Sequence, residues 1–177
     1  LAKIILLVMK KKIWLSYCLF CCLVVPIGGC GIYSFTDTAI PPEVKTASVK
    51  DFQNAAANGL PRLGLNLTEQ LKNKLQAEPR LRLIRDNGDA RFSGAIIGYD
   101  VTPAASGGGD QAQLNRLTIT VRVEYINTKT KTNWSQTFKQ FENFDRNKNI
   151  SDVEESLTTV MVERLVDEIF NRAFSNW

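Results

Sequence analysis

The chain has 177 residues, with 22 lysines and arginines against 18 aspartates and glutamates, and it contains no histidine. Four of the lysines and none of the acids lie before Cys30, so the remainder carries 18 basic and 18 acidic residues. A neutral domain gives no bulk electrostatic support for nucleic-acid binding. The lack of histidine excludes the usual catalytic triads and most zinc sites.

The first thirty residues have the layout of a bacterial lipoprotein signal peptide. The basic residues Lys10 to Lys12 precede an apolar segment, residues 13–27, whose length suits the hydrophobic core of a secretory signal. This segment leads into Val25-Pro26-Ile27-Gly28-Gly29-Cys30, which has the small residues and the cysteine of a lipobox. At such a site the cysteine thiol receives lipid and a signal peptidase cuts before it.

We therefore expect residues 1–29 to be a signal peptide, with Met9 as a candidate start, and Cys30 to be the lipidated N-terminus. Two or more acyl chains anchor a protein stably. Gly31 is not the aspartate that retains lipoproteins at the inner membrane of enteric bacteria, so we expect the periplasmic face of the outer membrane. The alternative is an uncleaved anchor over residues 4–27, in which each central lysine would cost about 2.5–3.5 kcal/mol.

The mature chain begins with a tether and a helix. Residues 30–43 contain Pro41-Pro42 and are predicted to be an extended tether, because proline disrupts regular pairing. A short strand is expected over residues 44–52. The following helix has leucines at spacings of three and four residues. Its stripe consists of Leu60, Leu63, Leu67, Leu71 and Leu75.

Strands are predicted for the middle of the chain. A short one covers residues 81–84, and a longer one covers residues 90–101, where Gly94 and Gly98 predict a bulge or close packing. After a glycine-rich loop, residues 102–113, strict alternation predicts a half-buried strand. Its apolar side is Leu117, Ile119, Val121, Val123 and Tyr125, and its polar side is Arg116, Thr118, Thr120, Arg122 and Glu124.

The chain then returns in a hairpin and ends in a helix. The hairpin loop covers residues 127–133, and the next strand, residues 134–144, changes phase at Phe141, which predicts a bulge. Ser151-Asp152-Val153-Glu154 is a capping box that opens a helix to about Ser175. The predicted core stripe of this helix is Val153, Leu157, Val160, Met161, Leu165, Ile169 and Ala173, with Phe170 and Phe174 alongside.

The element order β-α-β-β-β-β-α predicts an α+β two-layer sandwich formed by residues 44–177 as one domain. We expect a mainly antiparallel sheet of four to five strands with both helices packed on one face. Alternation on the central strand means that the opposite face of the sheet is polar and open.

Catalytic and metal motifs are not found. The sequence Asp145-x-Asn147-x-Asn149 resembles the start of a calcium loop, but Ile150 replaces the required glycine. Cys18, Cys21 and Cys22 lie inside the apolar segment and are interpreted as small apolar side chains. We therefore predict a protein without a metal or cofactor, and not an enzyme.

The candidate site is a set of basic residues for an anionic partner. Arg116 and Arg122 fall on the polar side of the central strand, and Lys129 and Lys131 lie on the adjoining hairpin. The paired N–H donors of arginine and the compact ammonium group of lysine both bind phosphate groups well. Lipid A presents such phosphate groups at the outer membrane. The alternative interpretation is that these are ordinary solvated strand residues.

Several segments together resemble the LptE family of lipopolysaccharide-assembly lipoproteins, in the form found in Bacteroidetes. They are Cys30-Gly31-Ile32-Tyr33-Ser34-Phe35, Ile40-Pro41-Pro42, residues 44–50 (VKTASVK), residues 114–121 (LNRLTITV) and Ser175-Asn176-Trp177. The resemblance implies a two-layer lipoprotein that sits largely inside the lumen of a large outer-membrane β-barrel, LptD. There it would bind lipopolysaccharide and assist its delivery to the outer leaflet.

Other functions remain open at this point. An auxiliary lipoprotein of a lipid-trafficking ABC transporter would bind phospholipid without a barrel and associate with an inner-membrane permease. A pilotin would guide the assembly of a secretin. A lipid-anchored hydrolase would turn over ester or glycan substrates, and a single Ser or Asp substitution would abolish that turnover.

Overall fold

The computed structural model describes residues 40–104 and 114–174, which belong to one compact unit, Asp37–Trp177. The strands in these residues are β1 (Thr46–Val49), β2 (Gln53–Asn54), β3 (Arg82–Leu83), β4 (Ala90–Pro103), β5 (Leu114–Asn127) and β6 (Thr132–Asp145). The helices are α1 (Leu63–Gln76) and α2 (Ile150–Phe174). The predicted signal peptide, Cys30 and the glycines of the predicted loop lie outside the described residues.

The strands form one mixed sheet in the order β3-β1-β4-β5-β6, with β2 also paired to β4. β1 runs parallel to both β3 and β4, and β2 runs parallel to β4. The pairs β4–β5 and β5–β6 are antiparallel. The α+β class is confirmed, but the prediction of a mainly antiparallel sheet of four to five strands was only roughly right. Helix α1 connects the early strands to β3 as a crossover, which gives parallel pairing.

The central strand β5 follows the predicted alternation closely. Leu117, Ile119, Val121, Val123 and Tyr125 of β5 are all buried, with exposed fractions of 0 or 1%. The β4–β5 register shifts between Ile96 and Gly98, which confirms a bulge there. Gly94 is a point of close packing, because a Cβ added to it would lie 2.3 Å from the carbonyl oxygen of Arg122.

The predicted bulge at Phe141 was wrong. Pairing between β5 and β6 runs without interruption from Leu114–Asp145 to Asn127–Thr132. Phe141 instead points away from the core, with 48% of its surface exposed. The guanidinium of Arg116 lies 4.2 Å from the centroid of its ring. This contact covers part of an apolar side chain on a polar face, so the strand does not need to change phase.

Both helices pack on the same face of the sheet. The buried leucines of α1 are Leu63, Leu67, Leu71 and Leu75, as predicted. Leu60, which was also assigned to this helix, lies before its first residue and is only partly buried. The buried stripe of α2 is Thr158, Met161, Val162, Leu165, Val166, Ile169, Phe170 and Phe174. Val160, which was assigned to the stripe, is 39% exposed. The buried face of α2 also includes Val162 and Val166. Val160 lies outside this face.

Several predicted boundaries differ in the structure, and two of them affect the ends of the domain. Helix α2 begins at Ile150, so Ser151 lies in its first turn, and the carboxylate of Glu154 accepts a hydrogen bond from the Tyr99 hydroxyl. The end of the predicted tether is folded: Ile40 is only 5% exposed, and the N–H of Val44 donates to the carbonyl of Pro41 at 2.9 Å. The folded core therefore begins by residue 40.

Candidate functional site

The face of the sheet opposite the helices is called the open face here. It consists of the outward side chains of β4, β5 and β6, which form six cross-strand rows. The rows are Thr102–Arg116–Asn143, Asp100–Thr118–Phe141, Gly98–Thr120–Lys139, Ala95–Arg122–Thr137, Ser93–Glu124–Ser135 and Arg91–Ile126–Asn133. Counted over these described rows, the open face carries four cations and two acids. Most of the remaining side chains are small and polar.

The structure places Arg116 and Arg122 on the open face, as the alternation predicted. The Nε of Arg116 donates to Oδ1 of Asn143 at 2.9 Å, while its guanidinium lies over Phe141. Arg122 is exposed and forms no ion pair with any residue in 40–104 or 114–174. The two arginines are six residues apart on one strand, which is roughly 20 Å. They are too far apart to hold one phosphate group together.

The two hairpin lysines differ from each other. The Nζ of Lys129 lies 3.3 Å from Oδ1 of Asp89, with the Lys129 side chain 49% exposed. Thr46 contributes most to holding the pKa of Asp89 at about 2 through its hydroxyl, and the backbone N–H groups of Lys45 and Thr46 add to this. Asp89 is therefore charged at neutral pH, and Lys129 is partly neutralised. Lys131 is exposed in the turn with a φ of 56°.

One further cation lies beside Arg122. Lys139 of β6 is opposite Thr120, whereas Arg122 is opposite Thr137. Arg122 and Lys139 are therefore diagonal neighbours, which places them about 7–8 Å apart at the backbone. Their long side chains can reach the same anion. The alternation of β6 could have placed Lys139 on this face from the sequence, but its position beside Arg122 depends on the β5–β6 register.

No group of three or more Cys, Asp or Glu side chains is placed to hold a metal ion in residues 40–104 and 114–174. Over the same ranges, neither helix is long and apolar enough to span a membrane.

The comparisons with known proteins agree with the resemblance found in the sequence. A family model described as "LptE: Lipopolysaccharide-assembly" matches residues 44–173. The chain belongs to the LptE family. The match covers all six described strands of this LptE-family chain and all but the last residue of α2. None of the curated proteins matches it.

Solved structures show a related fold for this LptE-family chain. A protein from Xanthomonas campestris is 9% identical, with a TM-score of 0.51, over 75% of this chain and 85% of that one. A neuraminyllactose-binding hemagglutinin homolog from Helicobacter pylori is 7% identical, with a TM-score of 0.50, over 74% and 83%. A minor lipoprotein from Acinetobacter baumannii is 16% identical, with a TM-score of 0.47, over 73% and 91%. At these identities the first two show a shared fold alone.

Proposed function

We propose that this LptE-family chain is an outer-membrane lipoprotein that binds lipopolysaccharide through its open face and partners an LptD-like β-barrel. In this role it assists the insertion of lipopolysaccharide into the outer leaflet by binding, without catalysis. The observation that carries the proposal is the family match over residues 44–173, which joins the chain to lipopolysaccharide assembly. The uncovered cationic face supplies the surface on which binding can occur.

The phosphate groups of lipopolysaccharide suit the pair Arg122 and Lys139. Neither side chain has an ion-pair partner among the described residues, so neither must give up an existing salt bridge to bind. A guanidinium and an ammonium group that reach one phosphate provide charge-assisted hydrogen bonds, which are roughly twice as strong as neutral ones. Arg116 and Lys131 extend the positive surface towards its two ends, and Lys129 contributes less because Asp89 already holds it.

Burial within a water-lined barrel suits the composition of this surface. The central rows of the open face hold Ala95, Gly98, Thr118, Thr120 and Thr137. Such small side chains leave the sheet face flat, and the hydroxyl groups of Thr120, which is half-buried, and of Thr137, which is exposed, suit a polar wall. The chain beyond the predicted signal peptide also has no net charge, so it is not strongly attracted to membrane phosphates away from its partner.

The test of lipopolysaccharide binding is a charge reversal on the open face. We expect Arg122→Glu with Lys139→Glu to weaken binding of purified lipopolysaccharide by at least about tenfold, since each lost charge-assisted contact costs about 1.5–3 kcal/mol. Arg122→Glu with Lys131→Glu should weaken it less, because Lys131 lies in the turn. Binding would be measured by surface plasmon resonance, with circular dichroism as the check on folding.

The matched control is Arg80→Glu with Lys148→Glu, which reverses two exposed charges away from the open face. It should leave binding within about twofold of the unmodified protein. Equal losses in the control and in the Arg122/Lys139 variant would show that overall charge matters and would remove the open-face assignment. The family membership would stand in either case.

The partner is tested by purification from native outer membrane in mild detergent. Co-purification of a large outer-membrane β-barrel supports the proposal. An inner-membrane permease in its place would favour an ABC-transporter auxiliary protein, and a secretin would favour a pilotin. Arg122→Glu with Lys139→Glu should still co-purify the barrel, because binding of lipopolysaccharide and binding of the barrel are separate contacts.

A further inference from the structure

A second cationic site lies at the edge of the sheet farthest from β6. A cleft of about 630 Å³ opens where β1 and β3 end, and the two strands run parallel there. In open sheets with parallel strands, ligands bind beyond the carboxyl ends of those strands. The floor of the cleft is apolar and consists of Val49, Leu83 and Ile84. None of these residues belongs to the open face.

Three cations from three different elements line the rim. Lys50 directly follows β1, Arg85 comes two residues after β3, and Lys72 projects from α1. The backbone is held at Lys50 and at Ile84, the residue before Arg85, because the N–H of Lys50 donates to the carbonyl of Phe92 and the N–H of Ile84 to that of Ala47, both at 2.9 Å. Cations on fixed elements bind with less loss of conformational entropy.

The three cations of the rim differ in whether they form ion pairs within the protein. Lys72 lies 3.3 Å from Asp51 and 3.6 Å from Glu69, so its charge is balanced by the protein. Lys50 and Arg85 form no ion pair within the described ranges, 40–104 and 114–174. Asp86 is the other acid that lines the cleft. Glu69 does not line the cleft. Among the residues that do, Lys50, Lys72 and Arg85 face Asp51 and Asp86, which leaves one net positive charge.

We propose that this cleft binds a phosphate group that carries a short hydrocarbon, as in a glycerophospholipid headgroup. The guanidinium of Arg85 presents paired N–H donors that match two phosphate oxygens, and the Lys50 ammonium supplies a third contact. Leu83 and Ile84 are half-buried, so these two side chains offer apolar surface to the first methylene groups of the ligand. Free phosphate shares the polar contacts and lacks the apolar one.

The experiment uses the full-length chain purified in a nonionic detergent. Isothermal titration calorimetry would measure binding of dihexanoyl phosphatidic acid, inorganic phosphate and dihexanoyl glycerol. We expect phosphatidic acid to bind and dihexanoyl glycerol, which lacks the phosphate, not to bind. Inorganic phosphate should bind at least about tenfold more weakly than phosphatidic acid, because it cannot bury hydrocarbon on the floor. Equal affinities for phosphatidic acid and inorganic phosphate would mean that the cleft binds free phosphate and does not recognise the hydrocarbon.

The decisive variant is Lys50→Gln with Arg85→Gln, which removes both unpaired cations. It should weaken binding of phosphatidic acid by at least about tenfold. The control Arg80→Gln with Lys148→Gln removes two exposed charges elsewhere and should stay within about twofold. The open-face variant Arg122→Glu with Lys139→Glu should also retain full affinity, since the two sites lie at different places on the sheet.

Three results would overturn the proposal. They are binding of phosphatidic acid no stronger than that of dihexanoyl glycerol, undiminished binding by the Lys50/Arg85 variant, and an equal loss in the Arg80/Lys148 control. Lys50 and Arg85 are exposed, so the variant should fold, and its thermal melting curve checks this. The single variants Lys50→Gln and Arg85→Gln provide the same test if the double variant melts early.

Discussion

At the scale of single residues, Asp89 ties the start of β1 to the start of β4. Its Oδ2 accepts hydrogen bonds from the N–H groups of Lys45 and Thr46, at 3.1 and 3.0 Å, and from the Thr46 hydroxyl at 2.8 Å. Oδ1 faces the ammonium of Lys129. The N–H of Asp89 in turn donates to the Thr46 hydroxyl. A charged carboxylate is therefore part of the junction between the two strands.

The charge of Asp89 should make the stability of the protein depend on pH in the acid range. The pKa of Asp89 is lowered from 3.8 to about 2, so the stability that its charge contributes is present above about pH 4 and is lost as the pH falls towards 2. Asp89→Asn should lower the free energy of unfolding by about 1–2 kcal/mol at pH 7. The difference from the unmodified protein should shrink towards pH 2, as urea denaturation at each pH would show.

The control for Asp89→Asn is Asp86→Asn, an exposed carboxylate in the same loop. It has no hydrogen-bond partner in the described part of the chain, and its replacement should leave the unfolding free energy unchanged within about 0.5 kcal/mol. A difference between Asp89→Asn and the unmodified protein that stays constant from pH 7 to pH 2 would contradict the role given to the charge.

Sequence reasoning located some candidate residues and missed others for physical reasons. The side on which Arg116 and Arg122 lie follows from the two-residue period of a strand, which needs no tertiary information. The pairing of Lys129 with Asp89 joins residues that are far apart in the chain, and no local pattern encodes it. The closeness of Lys139 to Arg122 depends on the β5–β6 register, which becomes known only once the hairpin turn is placed.

At the scale of elements, periodic segments were predictable and short ones were not. The leucine stripe of α1 and the alternation of β5 repeat often enough to identify a helix and a strand. β2 has two residues, which is too few for any period to be visible. Its pairing with β4 depends on the crossover of α1, so the parallel half of the sheet could not be derived from local sequence. Phe141 was misread because the stacking of Arg116 is a tertiary contact.

β4 packs closely against its neighbours at Gly94, and a substitution there tests this packing. A Cβ at this position would lie 2.3 Å from the carbonyl oxygen of Arg122 and 2.7 Å from Cε1 of Phe52. The first of these is a backbone atom of a paired strand, which cannot move without breaking the sheet. Gly94→Ala should therefore lower the free energy of unfolding by about 2–3 kcal/mol, measured by thermal and urea denaturation.

Gly98 supplies the comparison for Gly94 in the same strand. A Cβ there would lie 3.1 and 3.2 Å from the Cβ and Oγ1 of Thr120, on the open face, where a side chain can shift. Gly98→Ala should cost less than about 1 kcal/mol. If the two alanine variants were equally stable, the close approach at Gly94 would not be a constraint on the fold.

At the scale of the whole molecule, location depends on Cys30. Its lipidation, the signal peptide over residues 1–29 and the placement at the outer membrane remain predictions from the sequence. Cys30→Ala should abolish incorporation of radiolabelled palmitate, because the acylated thiol is lost. Membrane fractionation does not test this step, since the proposed barrel partner would also hold the protein at the outer membrane. Cys30→Ser should behave in the same way.

Palmitate labelling of Cys30→Ala equal to that of the unmodified protein would contradict lipidation at Cys30. An unmodified protein that keeps residues 1–29 would instead support the uncleaved anchor over residues 4–27. The mass of the mature protein separates these outcomes, because cleavage before residue 30 removes 29 residues. Binding of purified lipopolysaccharide by the domain should be unaffected, since Cys30 is not part of the open face.

Because Ile40 is buried in the domain, the linker between the domain and the proposed lipid on Cys30 is short. Nine residues, 31–39, separate Cys30 from Ile40, and even a fully extended chain of nine residues spans no more than about 32 Å. A few residues later, the N–H of Lys45 donates to the carboxylate of Asp89, which also pairs with Lys129 of the hairpin. We therefore expect a lipid on Cys30 to hold the domain within this distance of the membrane, through a chain that enters the sheet beside the β5–β6 hairpin.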